Sequence, residues 1–130
     1  MSETESSKNY RGMPLSQHLQ NLQGEELSEL AGIKYDQGKA PLGMIPSVAL
    51  IEEANVLAFG AEKYDRDNWR KGMKWSRLLD AALRHITAYN EGEANDEESG
   101  ISHLAHARCC LGFLLHYAKH GTGEDDRPTG

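Results

Sequence analysis

Apolar residues recur at intervals of three and four from Ser99 onward, a spacing that predicts a helix with one buried face. Because successive residues turn by about 100°, Cys110, Phe113 and Tyr117 widen this face, while Arg108 and His116 fall on the solvent side with Gly112. The helix is the most strongly patterned stretch of the chain. Its apolar stripe consists of Leu104, Ala107, Leu111, Leu114, Leu115 and Ala118.

Two further helices are predicted upstream. The first begins after Pro46, with Ser47 as a cap, and runs to about Tyr64. The second is capped by Ser76 and ends near Gly92. The apolar stripe of the first helix consists of Leu50, Ala54, Leu57 and Ala61, and that of the second consists of Leu78, Leu79, Ala82, Leu83, Ile86 and Tyr89.

Strand-like alternation does not persist for more than a few residues, so the fold class is all-α with about three main helices. Three helices give a thin core, and we therefore expect the bundle to be shared between subunits, as a homodimer or homotetramer. The predicted organisation is a polar arm with short helical turns over 1–30, a helical domain over 31–120 and a frayed polar tail over 121–130.

Composition and charge limit the classes of partner that the protein can bind. The net charge of −6 leaves no basic stripe for a nucleic-acid backbone. No apolar run approaches the roughly 20 residues of a membrane span, and the N-terminal residues lack the apolar core of a secretory signal. The adjacent Cys109 and Cys110 are expected to be reduced core residues, which fits a cytosolic location.

Two histidines occupy the apolar arc of the last helix. His103 and His106 lie one turn apart, directly after the carboxylates of Asp96, Glu97 and Glu98. Each imidazole could be a core residue hydrogen-bonded to a backbone carbonyl, but two at one depth both need polar partners. A metal ion is one such partner. The sequence leaves both interpretations open.

The first predicted helix carries two more candidate ligands. Glu52 shares an arc with Val56, Phe59 and Lys63, and Glu53 flanks that arc. A carboxylate among apolar neighbours needs a cation or a proton, so a salt bridge and a metal site are both open. His85 lies at the edge of the apolar face of the second helix, beside Arg84.

Two loops offer groups for a nucleotide. The glycine-rich segment from Gly32 to Pro46 holds Lys34, Asp36 and Lys39, whose lysines could wrap a phosphate chain or simply face solvent. The loop from Asp65 to Trp75 holds Asn68, Trp69 and Arg70, which could stack on or hydrogen-bond a base or could anchor the loop. Lys63 and Arg84 add positive charge.

Carboxylates with imidazoles favour Mg²⁺ or Mn²⁺, and such an ion beside positive charge is suited to hydrolysing a phosphoanhydride.

The chain from Lys34 to Tyr117 resembles the dATP/dGTP diphosphohydrolases of phages, the MazZ-like branch of the MazG superfamily. The resemblance rests on an ordered set of motifs: KYDQGK, GAEKY, NWRKG, ALRH, GE followed by DEESG, and HLAHA. It implies an all-α, oligomeric enzyme that converts purine dNTPs to dNMP and pyrophosphate with Mg²⁺ or Mn²⁺. In phages that use 2-aminoadenine, members of this family remove dATP and supply dGMP, which implies a host-cytoplasmic location.

The sequence departs from the MazG pattern of four carboxylates. The usual ExxE motif reads Glu52-x-x-Asn55, and the counterpart of the later ExxD is His103-x-x-His106. We expect Asp96 and Glu98 to restore the lost charge. The predicted metal ligands are Glu52, Glu53, Asp96, Glu98, His103 and His106, and the predicted catalytic residues are Glu52, Glu53, His85 and Asp96.

The substrate contacts expected with this assignment are Lys34, Asp36, Lys39, Lys63, Tyr64, Asn68, Trp69, Arg70 and Arg84. Lys39, Lys63 and Arg84 would neutralise the leaving pyrophosphate, while Trp69 or Tyr64 would stack on the purine. Preference between dATP and dGTP does not follow from the sequence. Two alternatives are an HD-type dNTP phosphohydrolase, which would need a His-Asp pair that this sequence lacks, and a non-catalytic nucleotide-binding module.

Overall fold

The computed structural model describes residues 32–129, so the predicted N-terminal arm lies outside the described residues. The chain divides into two compact units, and the boundary between them falls after Leu42. In the described part of the first unit the backbone is irregular, and the N–H of Lys39 donates to the carbonyl of Asp36 at 3.0 Å across a turn. Lys34, Asp36 and Lys39 belong to this unit and are exposed.

The second unit contains three α-helices, which we label α1 (Ser47–Lys63), α2 (Trp75–Asn90) and α3 (His103–His120). Short 3-10 helices occupy Leu42–Met44 and Asn68–Lys71. Within residues 32–129, β-type pairing is limited to two isolated bridges, Lys74 with Glu124 and Asn95 with Ser102. The all-α prediction with three main helices is confirmed.

The helix starts differ from the predicted caps. Ser47 is the first residue of α1 and Pro46 holds the cap position. Ser76 lies inside α2, which begins at Trp75. The last helix begins at His103 rather than Ser99, because Ser102 caps it by accepting a hydrogen bond from the N–H of Leu104. Residues 96–100 instead form turns that precede it.

The core of the second unit lies where α1 meets α3. Val56, Ala105 and Cys109 are buried together, with Ile101 and Phe113 packed against them. The arc of α1 that carries Val56 therefore faces inward, while Leu50 and Leu57 of the predicted stripe stay exposed. The prediction of one buried stripe on α3 is also wrong within a single chain, since Leu104, Leu111 and Leu115 are exposed.

The tail after α3 packs back against the start of α2, contrary to the expected fraying. The indole N–H of Trp75 donates to the carbonyl of Thr122, and its backbone N–H donates to Glu124. Ser76 donates to the carboxylate of Asp126 from both its N–H and its hydroxyl. Gly72 permits this crossing, because its φ is +87° and a Cβ there would lie 2.8 Å from the backbone nitrogen of Gly123.

Two remaining sequence predictions concern the cysteines and the membrane. Both cysteines are free, and burial raises the pKa of the Cys109 thiol to about 12. Cys109 is buried and Cys110 is half-buried, while the reduced state and the cytosolic location stay predictions. Across the described residues, no helix is long and apolar enough to cross a membrane.

Candidate functional site

A cavity of about 600 Å³ lies between the C-terminal half of α1 and the facing sides of α2 and α3. Its wall combines apolar side chains such as Val56, Leu78 and Phe113 with charged ones. Such a mixture is typical of ligand pockets, in which a few polar groups orient a ligand between apolar surfaces. Most of the predicted site residues of the second unit line the cavity: Lys63, Tyr64, Asn68, Trp69, Arg84, His85, Asp96, Glu98 and His106.

Three possible metal ligands come together beside the cavity: His85 and Asp96, which line it, and the buried His103. One ligand atom each from His85, Asp96 and His103 lies within 4.8 Å of the other two. The two ring nitrogens Nδ1 of His85 and His103 are 2.8 Å apart. Two nitrogens at this distance must either share a proton or face a common cation, because two lone pairs would repel. The arrangement therefore fits either a hydrogen bond between the two rings or a shared metal ion.

The donor set also indicates which ions fit. Two imidazoles and one carboxylate are the ligands of many transition-metal sites, and three protein ligands leave positions for water or substrate. His85 was predicted to be catalytic rather than a ligand, so its place in this set comes from the structure alone. Helix α2 supplies His85, the first residue of α3 is His103, and the turn between them supplies Asp96.

His106 lies beside the triad without belonging to it. Its ring stacks on that of His85, with centroids 4.6 Å apart and planes inclined by 12°. Its Nε2 is 2.7 Å from the hydroxyl oxygen of Ser99 and 3.9 Å from a carboxylate oxygen of Asp96. The same Ser99 donates its backbone N–H to Asp96 at 3.0 Å. The turn before α3 thus fixes both Asp96 and His106.

The surroundings of His85 and His106 lower the pKa values of both imidazoles and so favour their uncharged forms. Burial is the main cause that lowers the pKa of His85, and the neighbouring His106 and His103 lower it further. Burial likewise lowers the pKa of His106, against the opposing effect of Asp96. Burial alone would raise the pKa of Asp96, but hydrogen bonds from Ser99 lower it overall. Neutral imidazoles beside an ionised carboxylate are the protonation states that a cation requires.

The predicted carboxylates of α1 lie elsewhere. Glu53 accepts a hydrogen bond from Nε of Arg108 at 3.1 Å, on the part of α3 that carries Gly112. Glu52 is half-buried, and neither carboxylate lines the cavity. Glu98 pairs with Lys63 at 3.2 Å, so it holds a predicted phosphate ligand rather than joining the triad.

Residues 29–127 match the family described as dATP/dGTP diphosphohydrolase, N-terminal. The chain belongs to this family. A protein of Salmonella phage PMBT28 named dATP/dGTP diphosphohydrolase is 44% identical over 98 residues, which cover 75% of this chain and 33% of the relative. The chain therefore spans about a third of the length of that relative. No solved structure matches it.

Family membership confirms the resemblance predicted from the motifs, since the matched range contains all of them. The roles of individual residues stay predictions. Sequence reasoning missed Glu93 and Ser99, which both bond to the histidines of α3. Glu93 falls in the GE motif, and Ser99 falls in DEESG, so the motif set contained them without giving them a role.

Because the pKa values of His85 and His106 are lowered on folding, the metal-free protein should lose stability as the pH falls. The unfolded chain, with ordinary histidines of pKa about 6.5, binds more protons below that pH, so acidification favours unfolding. We expect the melting temperature to fall between about pH 7.5 and pH 5.5. Thermal unfolding followed by circular dichroism measures this.

The matched variants for this measurement are His106→Asn and His120→Asn. The first removes a half-buried imidazole and should flatten the pH dependence, whereas the second removes an exposed one at the end of α3 and should preserve it. A melting temperature that rises or stays level on acidification would contradict the assignment of neutral, buried imidazoles.

Proposed function

We propose that this chain hydrolyses purine deoxynucleoside triphosphates to the monophosphate and pyrophosphate in a divalent-metal-dependent reaction. The observation that carries the proposal is the cluster of three possible metal ligands, two of which line a cavity whose wall also holds Lys63, Arg84 and Tyr64. The name of the phage relative, dATP/dGTP diphosphohydrolase, supports the choice of substrate. Removal of dATP and supply of dGMP for a 2-aminoadenine phage would be its biological setting.

Each group in the cavity has a place in this reaction. His85, Asp96 and His103 would hold Mn²⁺ or a similar ion, or Mg²⁺, which when bound polarises a phosphoryl oxygen and lowers the pKa of water. Arg84 provides a fixed cation for the phosphate chain. Lys63 can also place its positive charge on the phosphate chain after it separates from Glu98. This separation costs little free energy because the Lys63–Glu98 ion pair is exposed to solvent. The catalytic and metal-binding roles of Glu52 and Glu53 remain predictions.

The purine base is best placed on Tyr64. Phe113 already stacks on Trp69 with centroids 4.7 Å apart, and the guanidinium carbon of Arg70 lies 4.5 Å from the centroid of the same indole. Tyr64 lines the cavity and is 56% exposed, with the ammonium of Lys63 5.7 Å from its ring centroid. Its ring is therefore the available aromatic surface beside a cation that can reach phosphate.

Tyr64→Ala should weaken dATP binding. Base–aromatic stacking contributes about 1–3 kcal/mol, which corresponds to a rise of roughly 5- to 150-fold in Kd. Tyr64→Phe retains the ring and should bind like the wild type. Titration with non-hydrolysable dATP followed by calorimetry measures both, and equal affinity in Tyr64→Ala would exclude the stacking role.

The decisive experiment for the proposed function is product analysis. The full chain would be incubated with each of the four dNTPs and with Mn²⁺ or Mg²⁺, and the products separated by ion exchange. Purine dNMP with pyrophosphate would support the proposal and would report the base preference. Nucleoside with triphosphate would indicate an HD-type reaction instead, and binding without turnover would indicate a nucleotide-binding module.

We also propose that two copies pair through α2 and α3. These helices run antiparallel, since His85 contacts His103 while the tail after α3 bonds to the start of α2. Both leave apolar side chains exposed at helical spacings: Leu83 and Ile86 on α2, and Leu104, Leu111 and Leu115 on α3. Two such faces packed together would form a four-helix bundle, which hides this surface from water.

The double variant Leu111→Glu, Leu115→Glu should convert the dimer to a monomer, because each new carboxylate would be buried in the interface without a partner. Light scattering after gel filtration gives the mass. The control is the double variant Val48→Glu, Ile51→Glu, whose two positions are exposed on α1. It should stay dimeric. A wild-type monomer, or equal dissociation in both variants, would refute pairing through α2 and α3.

A further inference from the structure

The loop that follows α2 places Glu93 beside the three possible metal ligands. Its backbone N–H donates to the carbonyl of Ala88 at 3.0 Å, which anchors it to the last turn of that helix. The next residue, Ala94, accepts a hydrogen bond from the N–H of His103 at 3.0 Å. The loop therefore ties Glu93 to the first residue of α3 through the backbone, before any side-chain contact is considered.

The side chains of the two residues then meet directly. A carboxylate oxygen of Glu93 lies 2.6 Å from Nε2 of His103, a short contact typical of a charge-assisted hydrogen bond. The side chain of His103 is only 5% exposed, whereas that of Glu93 is 50% exposed. Both ring nitrogens of His103 are engaged, since Nδ1 faces His85.

This contact determines where the ring proton lies. An ionised carboxylate can only accept hydrogen bonds, so Nε2 of His103 must carry a proton. In the neutral ring the lone pair then lies on Nδ1, which is 2.8 Å from Nδ1 of His85. Without Glu93, either nitrogen could carry the proton, and the ring could also turn over.

We propose that Glu93 is a positioning residue, which fixes the ring orientation and tautomer of His103 so that Nδ1 can bind a divalent cation together with His85 and Asp96. Its part in cation binding rests on the metal centre of the proposed function. Carboxylates commonly hold metal-binding histidines in this way, and their loss weakens metal binding about 10- to 100-fold. Glu93 itself would not touch the cation.

Glu93→Gln tests this role in the full chain, because an amide is nearly the same size but can donate as well as accept, so it no longer dictates the tautomer. Long-range ¹H–¹⁵N spectra of the metal-free protein report which nitrogen carries the proton. We expect only the Nε2–H form in the wild type and a mixture in the variant. Calorimetric titration with Mn²⁺ or Co²⁺ should show affinity reduced about 10- to 100-fold.

Glu91→Gln is the matched control, since it removes the same charge from an exposed residue two positions away. It should leave both the tautomer and the metal affinity unchanged. An unaltered tautomer and affinity in Glu93→Gln, or an equal loss in Glu91→Gln, would overturn the proposal. A wild type that binds neither ion would overturn it too.

Turnover of dATP is measured separately, so the two proposals can fail independently. A protein that binds Mn²⁺ in a Glu93-dependent manner but releases no pyrophosphate would retain the positioning role and lose the proposed hydrolase function. A protein that releases pyrophosphate, but whose metal affinity is equal in the wild type and in Glu93→Gln, would retain the proposed hydrolase function and lose the positioning role of Glu93.

Discussion

Asp96→Asn is expected to reduce dATP turnover at least about 100-fold and to weaken Mn²⁺ binding to a similar or greater degree. Asp96 is the carboxylate of the proposed triad, and the two imidazoles beside it carry no negative charge to attract a cation. The substitution is isosteric, so the amide oxygen can still accept the N–H of Ser99. Circular dichroism should therefore show an unchanged helical content.

The control for this variant is Glu97→Gln, which removes an exposed negative charge from the next residue. If the two variants lost activity equally, the effect would be one of general charge rather than of ligation. If Asp96→Asn kept full turnover, the triad would not be the catalytic metal site, and the carboxylates Glu52 and Glu53 would become the leading candidates again.

The sequence predicted the helices well because their apolar spacing is strong. The positions of α1, α2 and α3 follow from residues three and four apart, and so does the placement of His103 in a dry environment. The sequence could not show which apolar residues remain exposed in one chain. Leu111 belongs to the predicted stripe of α3 and Val56 lies outside that of α1, yet Val56 packs against α3 while Leu111 faces outward.

The candidate site was predicted less completely, for a physical reason. Asp96 and the histidines of α3 lie close together in sequence, so their grouping could be recognised before the fold was known. His85 joins them only because α2 packs antiparallel to α3, a tertiary relationship with no local signal. The loop residue Glu93 reaches His103 for the same reason, across 10 residues of turn and helix cap.

The start of α2 was mispredicted because tertiary contacts replaced local capping. Serine commonly caps helices, but the N–H and hydroxyl of Ser76 donate to Asp126 in the tail. Helix α2 begins one residue earlier, at Trp75. That tail was expected to fray because it is polar. Instead, its backbone carbonyls at Thr122 and Glu124 and the carboxylate of Asp126 accept the hydrogen bonds that hold it against α2.

Tyr117→Ala is expected to destabilise the fold by about 3–5 kcal/mol, a large share of the roughly 5–15 kcal/mol that stabilises a domain of this size. Tyr117 is completely buried, and its ring lies 6.4 Å from that of Trp69 between centroids. Removing the ring would leave a cavity where α3 supports the 3-10 helix that carries Trp69. Urea unfolding followed by circular dichroism measures the loss.

The conservative variant Tyr117→Phe separates packing from hydrogen bonding. The Tyr117 hydroxyl donates to the backbone carbonyl of Trp69, and its removal leaves that carbonyl without this partner. The expected cost is about 1 kcal/mol. Tyr89→Phe removes an exposed hydroxyl from α2 and should change stability by less than about 0.5 kcal/mol. Equal stabilities for Tyr117→Phe and Tyr89→Phe would mean that the hydroxyl contributes nothing to holding Trp69 at the cavity wall.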